Sequence, residues 1–278
     1  MIKGPGWSKR FVEHGVDSTT RLSIAFTWDL PDAYQRAVWL RQTGQRVIAG
    51  GPAVSLMPHY LAEVTEIGTD WPMALEQHNP FATFTSRGCI RRCPFCAVWR
   101  TEGELRELDD WPILPIVCDN NLLACSRRHF DGVIDKLKPV HGVDFNQGLD
   151  ARLLTKHHAS RLAELDCKVR LAFDHISGES ALVDAWAKLR AEGIGKARIG
   201  VYVLFGYGDT PEDALYRLET VKELGIRPNP MRYNPLDALV RNSYVGPSWT
   251  AWQLRRFHRY WSRLRWLEHI PFEEYEPC

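Results

Sequence analysis

The chain lacks the marks of several protein classes. No uninterrupted apolar run approaches the roughly 20 residues that a membrane helix requires, so no membrane partner is expected. There is no surplus of charge either: 35 Lys and Arg face 34 Asp and Glu, a formal net charge of +1. This excludes a protein held on nucleic acid by bulk charge, though not one with a local basic face. The opening residues, MIKGPGWSKRFVEHG, have no apolar core of the kind a secretory leader carries, and a cytoplasmic protein is expected. No short repeat or low-complexity stretch interrupts the 278 residues. Nor do the seven cysteines read as a disulfide framework. A chain of this length buries roughly 75% of its unfolded surface and needs no covalent staples.

What is present is ordinary globular composition, with 45% hydrophobic and 25% charged residues, arranged as alternating strand and helix signals. RLSIAFTW (21–28) and RVIAGG (46–51) read as strands around the helical DAYQRAVWLRQTG, a small α/β unit. The Gly50-Gly51-Pro52 turn is of a kind that can approach a phosphate, but a tight turn is the plainer reading. From residue 81 a longer series begins: FATFTS (81–86), ILPIVC (113–118), GVDFNQ (142–147), KVRLAF (168–173), RIGVYVLF (198–205) and PMRYNPL (230–236). Helical patterns separate most of them, though 97–112 is poor in helix signal. Their Val, Ile and Phe content predicts strands buried on both faces. Repeated βα units imply a parallel sheet, either open or a partial barrel, with the chemistry on loops after the strand C-termini. A final helix is predicted over 248–270, with Leu254, Phe257, Trp261 and Leu264 on one face. A second stripe carries Trp252, Arg256, Arg259, Arg263 and Trp266.

Cys118, Cys125 and Cys167 are dispersed and read as small buried hydrophobes, and Cys278 as an exposed terminal thiol. Cys89, Cys93 and Cys96 differ. They fall at CxxxCxxC spacing in TSRGCIRRCPFC, directly after a predicted strand. Thiolate softness points to iron–sulfur or zinc. Structural zinc sites and ferredoxin-type clusters both want four ligands, and no fourth cysteine lies close in sequence. Three thiolates on one loop can hold three corners of a [4Fe-4S] cube and leave the fourth iron open. A zinc site completed by a distant His, or three incidental thiols, are the other readings of the same residues.

The loop resembles that of the radical S-adenosylmethionine (radical SAM) superfamily. There a CxxxCxΦC motif follows the first strand of a six-stranded partial (β/α) barrel, and Phe95 stands at the aromatic position Φ. The TSRGC lead-in is similar to the branch containing tRNA methylthiotransferases and enzymes with an N-terminal cobalamin-binding domain. The resemblance covers residues 81–236. It implies an α/β fold: a partial (β/α)6 barrel over 79–240, a truncated Rossmann-like α/β unit over 1–78 and a C-terminal helical extension over 241–278. It also implies that Cys89, Cys93 and Cys96 bind a [4Fe-4S] cluster whose open iron takes S-adenosylmethionine (SAM). One electron from an external donor, such as flavodoxin or ferredoxin, then cleaves SAM to methionine and a 5′-deoxyadenosyl radical.

Carried over position by position, the resemblance implies cofactor contacts at Asp119, Asn120, Gln147, Arg152, Asp174, Gly206 and Tyr233. Asp119 and Asn120 stand where the family often has Gly-Gly-Glu, and Asp209 where it has Glu, so both segments depart from the pattern. The N-terminal unit is similar to the latter half of a cobalamin-binding domain but lacks DxHxxG, and no bound cobalamin is expected. Arg87, Arg91, Arg92 and Arg100 lie around the cysteine loop in sequence. With the Arg–Trp stripe they make a nucleic acid or nucleotide the first substrate class, and a peptide or small metabolite the second. A non-catalytic iron–sulfur or zinc protein is the alternative of a different class.

Overall fold

The computed structural model describes residues 6–277, so Cys278 lies outside the described residues. In chain order the elements are β1 (Val12–Val16), β2 (Thr19–Ser23), α1 (Leu30–Gln42), β3 (Arg46–Gly50), α2 (Pro52–Leu56), β4 (Glu66–Ile67), α3 (Ala74–His78) and β5 (Ala82–Thr83). There follow β6 (Ser86–Arg87), α4 (Val98–Thr101), β7 (Arg106–Glu107), β8 (Ile116–Val117), α5 (Arg127–Leu137), β9 (Val143–Phe145), α6 (Lys156–Ala163) and β10 (Cys167–Ala172). The chain closes with α7 (Glu179–Ala191), β11 (Ile199–Phe205), α8 (Pro211–Glu223), β12 (Pro228–Arg232), α9 (Ala251–Ser262) and α10 (Leu264–Leu267). The chain divides into two compact units. One comprises 1–83, 91–103 and 234–243, the other 84–90, 104–233 and 244–278.

The first unit contains a four-stranded sheet in the order β1-β2-β3-β4. β1 and β2 pair antiparallel, while β3 runs parallel to β2 and to β4. Leu22, Ile24, Leu30, Ala33, Ala37, Val47 and Ala49 form its core. The predicted strand over 21–28 stops at Ser23, and the chain turns into a short 3-10 helix at Thr27–Asp29. Pro31 then enters the first turn of α1, where its missing N–H costs no hydrogen bond.

The second unit is built on a parallel sheet. The six-stranded order is β12-β11-β10-β9-β8-β5, and every described pairing in it is parallel. Local signals start its helices. Ser126 caps α5 by accepting from His129 N at 3.2 Å, and Thr155, Thr210 and Thr250 form capping boxes with the residues three further on. Phe130, Val133, Ile134 and Leu137 make the buried stripe of α5, each contributing about 1.5–3 kcal/mol of apolar burial.

Three sequence expectations are corrected here. The strands are not buried on both faces: β11 alternates strictly, with Ile199, Val201, Val203 and Phe205 buried and Gly200, Tyr202 and Leu204 half-buried. β9 and β10 follow the same period, so the helices cover one face and the other carries polar side chains. The segment 81–86 is not one strand. Thr85 donates its N–H to the Asp119 carboxylate at 2.6 Å, so the β5 ladder ends at Thr83, and Ser86–Arg87 pairs antiparallel with β7 instead. The helix over 248–270 breaks at Arg263, whose φ of −115° and ψ of 17° leave the helical region. Beyond it the chain folds back: Tyr260 donates to Ile270 O at 2.7 Å, and Phe272 packs on Phe257.

Candidate functional site

Parallel strands in sequence order bring their C-terminal ends to one edge of a sheet. The residues singled out in sequence lie in the loops at that edge. Asp119 and Asn120 follow β8, Gln147 follows β9, Asp174 follows β10, Gly206 follows β11 and Tyr233 follows β12. Arg152 lies in a 3-10 turn further along the loop after β9.

Their partners differ. Asp119 is 4% exposed and accepts from Thr85 N (2.6 Å), Thr85 Oγ1 (2.5 Å) and Ser86 Oγ (2.7 Å). Burial raises its pKa, and those same bonds oppose the rise. The carboxylate therefore clamps the residues that lead into the cysteine loop. His129 extends the network, its Nε2 lying 3.3 Å from Thr85 Oγ1. Arg152 forms a bidentate pair with Asp150 in its own turn, at 2.6 and 3.0 Å. Asn120 is half-buried, and Gln147 is exposed beside the Cys118 thiol. Burial raises the pKa of Asp174, with the Arg217 charge acting against it.

The end of β11 is filled. Gly206 has φ +84°, and a Cβ there would stand 3.0 Å from Leu254 Cδ2. Asp209 accepts from Gly206 N at 2.9 Å and from Trp249 Nε1 at 3.1 Å, and it pairs with Arg217. Arg217 is 1% exposed and also donates to Leu204 O (2.6 Å) and Asp174 O (2.9 Å). Tyr233 stacks at a tilt on Tyr207 and meets Tyr244 edge-on, with ring centroids 4.7 and 5.3 Å away.

Sequence reasoning missed the polar sheet face. Asp144 of β9 and Arg170 of β10 form a bidentate pair at 2.7 and 2.6 Å. The Arg170 guanidinium stands 5.7 Å from the Tyr202 ring, whose hydroxyl donates to Asn146 O at 2.7 Å. The signal was available as Asp144, Lys168, Arg170 and Tyr202 falling at alternate positions of VDF, KVRLA and IGVYVL, hidden beneath their high apolar content.

The cysteines separate into two kinds. Burial pushes the thiols of Cys118 and Cys167 up to about 12, and that of Cys125 to about 11, where they are poor ligands at neutral pH. Cys89, Cys93 and Cys96 are half-buried thiols outside the apolar cores. The unit division falls inside their loop, with Cys89 in the second unit and Cys93 and Cys96 in the first. Cys96 N donates to Cys93 O at 3.0 Å, closing a turn, and Trp99 Nε1 donates to the same carbonyl at 3.1 Å. Cys89 Sγ accepts from Asn121 Nδ2 at 3.7 Å.

Among the described residues, no three His, Cys, Asp or Glu side chains converge on a point that one metal ion could occupy. A cube-shaped cluster makes another demand, since each thiolate binds its own iron. The donor set fits such a group: three soft ligands within eight residues of one loop, the first of them already accepting a hydrogen bond.

The Arg–Trp stripe is only partly exposed. Trp252 and Trp266 are 41% and 66% exposed. Arg256 is committed elsewhere, donating to the carbonyls of Phe272, Glu273 and Tyr275 at 2.5–2.8 Å. No helix of the described residues is long and apolar enough to cross a membrane. No protein-family model and no curated protein matches the chain.

Proposed function

We propose that this chain is a radical SAM enzyme, with a partial (β/α)6 barrel as its catalytic unit. The observation that carries the reading is the thiol triplet Cys89, Cys93 and Cys96 on the loop that opens a series of βα units. When bound, a [4Fe-4S] cluster and SAM would supply a one-electron route to a 5′-deoxyadenosyl radical, chemistry that side chains alone do not provide.

The chain's own part is binding, orientation and exclusion of water. Cys89, Cys93 and Cys96 would hold three irons. Asp119 fixes Thr85 and Ser86, and so the approach to Cys89. The edge residues Asn120, Gln147 and Asp174 offer polar groups for the methionine and ribose parts of SAM. Tyr233 offers a ring for the adenine. The Asp144–Arg170 pair and Tyr202 give the open sheet face a polar floor on which a substrate would be oriented. A nucleic acid or nucleotide remains the proposed substrate class, supported by exposed Trp252 and Trp266 beside the arginines of α9 and α10.

The test is anaerobic reconstitution with iron and sulfide, then SAM with dithionite. About one [4Fe-4S] cluster per chain and release of 5′-deoxyadenosine are expected, both lost on Cys89→Ala, Cys93→Ala or Cys96→Ala. Stoichiometric zinc with no iron would leave a structural metal site in place of the enzyme.

A further inference from the structure

Asn121 stands at the N-cap of the 3-10 turn Leu122–Ala124, yet its side chain makes no cap hydrogen bond. An asparagine there ordinarily uses its oxygen to accept a backbone N–H of the turn. Here Oδ1 is buried without a hydrogen-bond partner, while Nδ2 lies 3.7 Å from Cys89 Sγ. We propose that Asn121 is a positioning residue for the cysteine loop, its amide N–H holding the Cys89 sulfur and raising the reduction potential of the cluster bound there. The inference rests on the radical SAM reading and goes beyond it, because it assigns a role to a residue outside the cofactor contacts that the resemblance implies.

The placement is rigid. Asn121 is 3% exposed, so water does not compete for its amide. On one side Asp119 is tied to Thr85 and Ser86, and on the other Leu122 and Leu123 are buried in the core of the second unit. Asn121 and Cys89 both belong to that unit. The orientation of the amide follows from the ligand chemistry. A thiol can donate to Oδ1 or accept from Nδ2, but a thiolate only accepts. A metal-bound Cys89 therefore requires the nitrogen to face the sulfur, the arrangement observed.

A hydrogen bond to a ligating thiolate draws charge from the sulfur and favours the state with one more electron. Hydrogen bonds to cluster sulfurs are among the levers a protein has on that potential. The step is a one-electron reduction by an external donor, with no bond broken and no proton moved. Asn121 keeps its hydrogen throughout.

The experiment uses the full chain reconstituted anaerobically with iron and sulfide and titrated by potentiometric electron paramagnetic resonance, with dithionite as reductant. Asn121→Leu should keep the parent's iron and sulfide content but make the cluster about tenfold harder to reduce, a fall of about 59 mV for one electron. Asn121→Asp should shift it further the same way, since a carboxylate replaces the donor with negative charge. Parent protein grown on asparagine labelled with heavy nitrogen should show hyperfine coupling from that nitrogen to the reduced cluster, a readout that needs no variant to fold. A parent cluster without that coupling, or variants with unchanged potentials, would overturn the role of Asn121 and leave the radical SAM reading standing. A parent that binds no iron–sulfur cluster would overturn both.

Discussion

Two strand ends in this chain are finished in opposite ways. After β3, in the first unit, the backbone itself fills the space. A Cβ on Gly51 would lie 2.5 Å from Ile24 O, and one on Gly50 would lie 2.7 Å from the Thr69 carbonyl carbon. The Gly-Gly-Pro turn is a close crossing of chains that only glycine admits. After β8, in the second unit, the loop presents side chains instead: Asp119 grips Thr85 and Ser86, and Asn121 reaches Cys89. The same strand–loop–helix grammar yields packing in one place and chemistry in the other. What separates them is whether glycine lets backbones meet or polar side chains keep them apart.

The largest effect expected from a single change lies at a third strand end, that of β11, which an ion pair closes. Arg217→Ala takes the cation from the buried Asp209 carboxylate and the donor from four backbone carbonyls, and should cost about 3–5 kcal/mol in urea denaturation. A loss below 1 kcal/mol would mean that the ion pair does not close this end. Next, Gly51→Ala forces a Cβ onto Ile24 and a side-chain residue into φ +100°, for about 2–4 kcal/mol. Unchanged stability there would break the contrast between the two units directly.

Asp119→Asn should be milder for the fold and sharper for the site. The amide replaces one acceptor with a donor facing Thr85 or Ser86, for about 1–3 kcal/mol, and iron retained after reconstitution should fall. Full iron retention would mean that the clamp serves packing alone.

The smallest effect is a pH dependence in the first unit. His78 bridges Ser8 Oγ at 2.7 Å and Ser23 Oγ at 3.1 Å, and burial lowers its pKa from the ordinary 6.5. A lowered histidine contributes stability that is whole above its unfolded value and is lost as pH falls through its folded value. Stability should therefore drop below pH 6.5 by at most about 1.4 kcal/mol per pH unit from this group. Denaturation midpoints of parent and His78→Gln across that window should diverge at neutral pH and converge in acid.

Much of this molecule is local in origin and was legible in the chain. The succession of the six strand segments along the chain, the burial of Leu254, Phe257, Trp261 and Leu264, and the inert Cys118 and Cys167 all follow from period and apolar content, while the order of those strands within the sheet does not. The spacing of Cys89, Cys93 and Cys96 is likewise written in the sequence alone. Tertiary structure decided which polar groups are consumed. Nothing in the segment CDNN says that Asp119 binds Thr85 while Asn121 turns to Cys89, because those partners are more than thirty residues away. Neither does VDF reveal that Asp144 will meet Arg170, which needs β9 and β10 in parallel register. A side chain's hydrogen-bonding capacity belongs to its residue, but its partner is set by which strands lie side by side.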